Sequence, residues 1–215
     1  MKLGLALLAL ALAQPAWACE CIPPPPTSNE GFNQISLVFK GRLLSSRTLQ
    51  SERGLTIVRS RWAVSESIKG LELREVEIDS PFGGSARCGL DLHPGMRVTL
   101  AARGSLRQGF HTDSCTWGRS EWPRLPPYRA ERQKLKEQLR QHPHDQGLLL
   151  TQGQLFQDAG EFDDAIKSWS AVLNLDPKHA QARLARAQAL RAVGDSDAAR
   201  KDEDAAARLS PVKRN

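Results

Sequence analysis

The sequence has few aromatic side chains, and beyond its first residues it has no long apolar run. Only five Trp, one Tyr and six Phe occur among 215 residues, and the arginines behind the net charge of +6 are scattered between acidic residues. A nucleic-acid-binding surface would more often show a basic stripe interleaved with exposed aromatics, so the composition argues against that class. We also find no catalytic triad, phosphate-binding glycine loop or paired-carboxylate site, so we expect neither catalysis nor a cofactor.

Residues 1–18 have the features of a secretory signal peptide. A lysine stands at the second position, residues 3–13 form an apolar run too short to span a bilayer, and residues 16–18 form an A-x-A cleavage site. Cleavage would leave Cys19 as the first residue of a periplasmic or secreted protein. Lipid anchoring would also place a cysteine first, but lipoprotein signals normally carry a small residue where Trp17 stands, so export without an anchor is favoured.

All four cysteines, Cys19, Cys21, Cys88 and Cys115, follow the cleavage site. An even number in an exported protein indicates two disulfide bonds, and four cysteines allow three pairings. A bond between Cys19 and Cys21 is the least favourable, because two residues of extended chain orient these side chains poorly for bridging. A CxC pair also permits thiol–disulfide exchange, but such sites more often have CxxC near a βαβ pattern, so this function is less favoured.

Alternating apolar residues predict a small β domain over residues 19–118. Turns rich in glycine and proline separate the alternating runs, so we expect about five short antiparallel strands in a barrel or sandwich. Ahead of the strands, Ser28 predicts the N-cap of a short helix through Gln34 that would place Phe32 on the core. The alternating positions are Ile35, Leu37, Phe39, Val76, Ile78, Met96, Val98, Leu100 and Ala102.

Three prolines in residues 119–129, RSEWPRLPPYR, interrupt the alternation and predict a linker between two domains. The next segment, residues 130–145, is highly charged and has Leu135 and Leu139 four positions apart, as on one face of a helix. We expect an all-helical domain from this segment onward.

The last part of the sequence contains an internal repeat with a period of 34 residues, the length of a tetratricopeptide (TPR) repeat, which it resembles. We expect repeat 1 at 146–179 and a degenerate or capping repeat 2 at 180–213. Two repeats alone are marginally stable, so the helix at 130–145 should pack on them as a third element. The matched pairs are Gly160 with Gly194, Ala165 with Ala199, Leu175 with Leu209 and Pro177 with Pro211.

The first helix of each repeat would line a concave face that binds a peptide or protein partner. The mixture of amide and apolar side chains there suits an extended peptide. The alternative is that the same side chains face solvent or cover a neighbouring helix. The six candidates are Leu150, Gln154, Gln157, Leu184, Gln188 and Arg191.

The N-terminal half carries CECIPPPP after the cleavage site, followed in order by VFKGRL, SIKG, SARCGLDLHPG and DSC. These motifs resemble the netrin-like modules related to tissue inhibitors of metalloproteinases (TIMPs), including bacterial relatives, over residues 19–117. The resemblance implies an OB-like five-stranded barrel. It also implies disulfide bonds between Cys19 and Cys88 and between Cys21 and Cys115.

The TIMP resemblance implies a mechanism as well. In those inhibitors the free amine and carbonyl oxygen of the first cysteine bind the catalytic zinc of the protease, and the following residue enters its specificity pocket. The corresponding positions are Cys19 and Glu20, with Cys21 and Ile22 as further protease contacts. The implied partner is an exported zinc metalloprotease, although Glu20 replaces the small or hydroxylated residue usual in the animal inhibitors. The alternative is a TPR adaptor or scaffold whose β domain is purely structural.

Overall fold

The computed structural model describes residues 29, 31–50, 56–82, 89–116 and 121–209. This part contains a short 3₁₀ helix, five strands and then five α-helices, in the predicted order of a sheet followed by a helical region. No helix among these residues is both long and apolar enough to cross a membrane. The 3₁₀ helix is Phe32–Gln34, the strands are β1 (Leu37–Gln50), β2 (Thr56–Lys69), β3 (Glu75–Pro81), β4 (Arg97–Ser105) and β5 (Gly109–His111), and the helices are α1 (Leu125–Gln141), α2 (Gln146–Asp158), α3 (Phe162–Leu175), α4 (Ala180–Ala192) and α5 (Ser196–Leu209).

The five strands close into a barrel in the order β1, β2, β3, β5, β4. The expected number of strands is confirmed, but two expectations need correction. The β3–β5 pair is parallel, whereas the other pairs are antiparallel. In addition, β1 and β2 are not short, since each has 14 residues. Three register shifts interrupt the pairing of β1 with β2; such bulges bend a strand, which lets β1 pair with β2 along one edge and with β4 along the other.

The barrel interior contains the alternating residues that the sequence identified, except Ile35, which packs elsewhere. It also contains Trp62 and Phe110, which the alternation did not identify. Phe39 and Trp62 are both fully buried and meet edge to face with ring centroids 6.4 Å apart. The buried Trp62 indole donates to the Ser60 hydroxyl at 2.8 Å, which in turn donates to the Ile78 carbonyl at 2.9 Å. A buried polar group without a partner would cost stability, so this chain of hydrogen bonds allows Trp62 to occupy the centre of the barrel.

The boundary between the two regions differs from the predicted linker at 119–129. Helix α1 begins at Leu125 and has Pro126 and Pro127 in its first turn. The first backbone N–H groups of a helix have no intrahelical partner, so proline is tolerated there. Trp122 and Tyr128 are also buried. The described part of this segment is therefore packed structure rather than a spacer, and the helix expected over 130–145 starts earlier and ends at Gln141.

The four remaining helices follow the predicted period. Helices α2 and α4 begin at Gln146 and Ala180, and α3 and α5 begin at Phe162 and Ser196, so both spacings are 34 residues. The residue before each first helix caps it: Asp145 accepts from the Leu148 amide at 3.0 Å, and His179 Nδ1 accepts from the Ala182 amide at 3.2 Å. Repeat 1 is the α2–α3 hairpin and repeat 2 is the α4–α5 hairpin.

The barrel and the helices share a hydrophobic core centred on Phe32. Its ring meets Trp122 and Tyr128 edge to face, with centroids 5.8 and 5.7 Å apart. The remaining members of this cluster come from the outer surface of the barrel and from helices α1 and α2: Ile35, Val38, Ile68, Ala101, Leu125, Leu155 and Ala159. Because aromatic burial of this kind contributes strongly to interface energies, the two regions form a common packing unit.

A second set of contacts joins the barrel to the turn inside each repeat. Both turns contain a glycine with positive φ, Gly160 at 75° and Gly194 at 82°. A Cβ on Gly160 would lie 1.9 Å from the Asn33 carbonyl oxygen, and one on Gly194 would lie 2.8 Å from the Gln108 side chain. The β4–β5 loop continues this contact, since the Leu106 amide donates to Asp163 at 3.0 Å and Arg107 pairs with Asp195 at 3.1 Å. The barrel therefore touches the helix turn of both repeats.

Lys69 lies in the shared core and is fully buried. Its ammonium donates to the carbonyls of Phe32 at 3.0 Å, of Ala159 at 2.6 Å and of Ile35. Burial lowers the pKa of Lys69 to about 8; nearby Glu161 partly opposes this effect, and Arg124 and Arg132 add to it. The three carbonyls come from both regions, so one ammonium satisfies polar groups on both sides of the interface.

Glu161 and Tyr128 complete the buried polar cluster around Lys69. Burial raises the pKa of the Glu161 carboxyl. The pKa of the Tyr128 hydroxyl is also raised, mainly because the group is buried and in addition because the Glu161 carboxyl is nearby. Neither group makes a hydrogen bond of standard geometry within the described part of the chain. The cluster thus contains more desolvated polar atoms than its hydrogen bonds satisfy.

Stability should depend on the protonation of Lys69 in alkaline solution. The pKa is about 8 in the folded state against 10.5 for a free lysine side chain. Between these values the unfolded chain binds one more proton, so the free energy of unfolding should rise with pH across the window, by roughly 3 kcal/mol in total. The Lys69→Met variant should lack this rise, as measured by urea denaturation at several pH values.

Lys178→Met provides the control for this experiment, because Lys178 is exposed on the helical region. It should keep the pH dependence of the wild type. If the free energy of unfolding changes with pH in the same way for wild type and Lys69→Met, Lys69 does not titrate between the two pKa values.

Candidate functional site

Helices α2 and α4 place the six predicted groove residues along one side of the repeats, which we call the α2–α4 face. Two of the six side chains contact each other directly: Gln157 Nε2 donates to Gln188 Oε1 at 2.9 Å. The orientation of the Gln157 amide is fixed from the other side, because the Trp169 indole donates to its Oε1 at 3.0 Å. The amide pair therefore links repeat 1 to repeat 2 in a defined geometry.

The other four predicted residues occupy different surroundings. Leu184 is 47% exposed and is the principal apolar group of the face. Gln154 is exposed and donates to Asp158 at 2.8 Å, whereas Leu150 packs partly against the helical core. Arg191 forms a forked pair with Glu203 of α5, with N–O distances of 2.9 and 2.5 Å. The groups of this face that are available to a ligand are therefore an exposed leucine and the amides beside it. Its arginine is already paired with a neighbouring helix.

Repeat 2 replaces a neutral contact of repeat 1 with an ion pair at the same position. In repeat 1, Gln152 accepts a hydrogen bond from Ser168 at 3.0 Å. The residues 34 positions later are Arg186 and Asp202, which form a bidentate pair at 2.6 and 2.7 Å. The Asp202 side chain is only 5% exposed, and the pair joins α4 to α5 as the amide and hydroxyl join α2 to α3.

A second contact between the two helices of a repeat also changes from a neutral pair to an ion pair. Gln157 and Trp169 join the helices of repeat 1, and the residues 34 positions later are Arg191 and Glu203. Arg191 holds the pKa of the Glu203 carboxyl below its usual range. Glu203 thus stands where repeat 1 has the apolar Trp169. Once the contacts of repeat 1 are known, the period of 34 identifies both ion pairs of repeat 2.

The predicted protease-contact residues Cys19, Glu20, Cys21 and Ile22 lie outside the described residues, as do the signal peptide, Ser28 and Cys88. Cys115 is the one described cysteine, and it is disulfide-bonded. The pairs Cys19–Cys88 and Cys21–Cys115 remain predictions.

Within the residues that the structure describes, no group of three or more His, Cys, Asp or Glu side chains is arranged to hold a metal ion.

Comparison with known proteins identifies one part of the chain. A family model described as tetratricopeptide repeat matches residues 150–213, which confirms the TPR prediction for the C-terminal helices. The matched range does not include the barrel. A comparison with curated proteins found no match.

Close packing of α2 against α3 should make Gly153 intolerant of even a methyl group. A Cβ at this position would lie 2.8 Å from two atoms of the Trp169 indole and 2.9 Å from a third. Overpacking of this kind costs about 1–3 kcal/mol. We therefore expect Gly153→Ala to lower the free energy of unfolding by that amount in urea denaturation.

Gly147→Ala is the matched control, since Gly147 lies in the same helix and its Cβ would contact only the Asp145 side chain, at 3.3 Å. Alanine is the better helix former, so this variant should be neutral or slightly stabilised. Equal destabilisation of both variants would show that the Trp169 contact, which only a Cβ at position 153 would make, does not set the effect.

Proposed function

We propose that this chain is an exported adaptor that binds an extended segment of a protein partner on the α2–α4 face, and that it acts by binding rather than by catalysis. The single observation that carries the proposal is the exposed Leu184 beside the fixed Gln157–Gln188 pair, on the first helices of matched tetratricopeptide repeats. Export is proposed from the signal-like residues 1–18.

The chemistry of this face suits an extended peptide backbone. Gln188 accepts a hydrogen bond from Gln157 through Oε1, and its own Nε2 has no hydrogen bond within the described part of the chain. That N–H group is available to donate to a peptide carbonyl. Leu184 precedes Gln188 by four residues, so both lie on the same side of α4. One apolar side chain of the partner would pack on Leu184 while its backbone bonds to the amide.

Charge on the face limits which peptides fit. Arg191 is neutralised by Glu203 through two short contacts. Gln154 and Gln188 carry no charge. The proposed partner segment is therefore apolar and uncharged where it contacts Leu184, because an unpaired charge placed there would lose hydration without gaining an opposite charge.

The Leu184 contact can be tested with a peptide selected from a display library on the full-length protein. Leu184→Glu should weaken its binding at least about tenfold, because the variant removes the buried apolar contact and desolvates a carboxylate. Isothermal titration calorimetry would measure the dissociation constant, and circular dichroism would show that the helices persist.

Leu175→Glu is the matched control, because Leu175 is 42% exposed and is the last residue of α3, the second helix of repeat 1. It should bind the peptide as the wild type does. If both variants bind with unchanged affinity, the α2–α4 face is not the binding site.

A second proposed function is inhibition of an exported zinc metalloprotease through the amine and carbonyl of Cys19, as the TIMP resemblance implies. The order of motifs supports this candidate, together with the closed five-stranded barrel and the disulfide-bonded Cys115. The comparisons favour the adaptor, because the matched family covers only the repeats.

One added alanine ahead of processed Cys19 tests the inhibitor mechanism. The extra residue would move the free amine away from the carbonyl that chelates beside it, so inhibition of a susceptible metalloprotease should be abolished. Inhibition constants of the two forms provide the measurement. Equal potency with and without the alanine would exclude zinc capping and leave the adaptor function untouched.

A further inference from the structure

A cleft of about 490 Å³ lies on the barrel surface, away from the helical repeats. Three adjacent strands, β2, β1 and β4, each contribute three consecutive residues to it. Its volume falls within the range of sites that hold small molecules. The lining residues are Lys40, Gly41, Arg42, Ala63, Val64, Ser65, Arg97, Val98 and Thr99.

The cleft is centred on a bend in β1. The pairing of β1 with β2 shifts register between Lys40 and Gly41, and the Ser65 hydroxyl donates to the Lys40 carbonyl at 3.0 Å beside this shift. A Cβ on Gly41 would lie 2.7 Å from the Phe39 ring and 3.0 Å from the Ala63 carbonyl oxygen. The glycine therefore permits a bend that a larger residue would not, and bulges of this kind commonly occur next to binding sites.

Two arginines lie side by side in the lining of this cleft. Arg42 on β1 and Arg97 on β4 are direct partners in the strand register, so their side chains leave the sheet on the same side. Both are exposed, and neither guanidinium group has a hydrogen bond or ion pair within the described residues. Like charges directly opposite each other destabilise a sheet. An anion between them would remove this repulsion.

Three other basic residues of the barrel, unlike Arg42 and Arg97, each have an acidic partner. Lys40 pairs with Glu66 at 2.8 Å, and Arg59 and Arg61 on β2 pair with Asp79 and Glu75 on β3 at 2.7 and 2.5 Å. The barrel thus supplies a carboxylate to each of these three cations. It supplies none to Arg42 and Arg97, which flank the cleft.

We propose that the cleft binds a small organic anion whose single phosphate or carboxylate group is held between Arg42 and Arg97. Guanidinium groups bind such oxyanions through paired, charge-assisted hydrogen bonds. Thr99 adds a hydroxyl on the same side of β4 as Arg97, and Ala63, the register partner of Arg42 on β2, adds an apolar surface. Val64 and Val98 border the cleft but pack against the core of the barrel. The ligand class is therefore a phosphate or carboxylate attached to a compact apolar body.

The proposal is tested on the full-length processed protein with three probes at low ionic strength: phenyl phosphate, benzoate and inorganic phosphate. Amide chemical shifts should change at Gly41 and at its register partners Val64 and Val98 when phenyl phosphate or benzoate is added. Whichever of these two probes has the lower dissociation constant identifies the preferred oxyanion. Inorganic phosphate should bind more weakly than phenyl phosphate, because it lacks the apolar body.

Arg42→Gln and Arg97→Gln should each weaken binding about tenfold or more, because each removes one set of charge-assisted hydrogen bonds. Arg47→Gln is the matched control: Arg47 is exposed on the same strand, and its register partner Arg59 is already paired with Asp79. Arg97→Gln should not lower the thermal midpoint of the free protein, since it removes a like-charge contact.

Several outcomes would overturn the proposal. They are the absence of shifts at the cleft with every probe, an equal loss of affinity in Arg47→Gln, and binding of anionic lipid vesicles or heparin without binding of the small probes. None of these results bears on the peptide face of the repeats, which lies on α2 and α4.

Discussion

Burial of Phe32 against Trp122 and Tyr128 is the contact on which the arrangement of the two regions depends. Phe32 belongs to the segment before β1, whereas its two aromatic partners belong to the segment that leads into the helices and to α1. Lys69 bridges the same two regions, because its amino group donates to carbonyls of Phe32 and Ile35 and also of Ala159 at the end of α2. Separation of the regions would expose the aromatic rings and leave these carbonyls without their donor.

The two repeats show how one helix–helix geometry is maintained with different chemistry. Repeat 1 uses Gln152 with Ser168, and repeat 2 uses Arg186 with Asp202 at the equivalent positions. Asp202 is buried, and the two hydrogen bonds from Arg186 offset the cost of removing its carboxylate from water. Loss of either partner would leave the other charge without this compensation.

Much of this arrangement could be predicted from local patterns. Alternation of apolar residues marked the interior of the barrel, and the period of 34 placed the starts of the two repeats, because both signals depend on which side of an element is buried. The prolines at 119–129 did not distinguish a linker from a helix start, since proline in the first turn of a helix and proline in a linker look alike in sequence. The parallel β3–β5 pair and the buried Lys69 depend on contacts between distant segments, which no local pattern contains.

The same distinction applies to the candidate sites. The residues of the α2–α4 face followed from repeat geometry, but the pairing of Arg191 with Glu203 did not, because it joins two helices through side chains that look like surface charges. Likewise, Arg42 and Arg97 are 55 positions apart in sequence (97 minus 42) and become neighbours only through the register of β1 and β4. Their isolation from carboxylates is a property of the assembled sheet.

The contact of the β4–β5 loop with both repeats has a consequence for molecular recognition. Arg107 reaches Asp195 in repeat 2, and the adjacent Leu106 amide reaches Asp163 in repeat 1. In an unbraced pair of hairpins, the angle between the first helices would fluctuate, and a ligand would have to restrict that motion when it binds. Here the loop restricts it beforehand, so less conformational entropy remains to be lost on association, and selectivity can arise from a surface whose shape is already set.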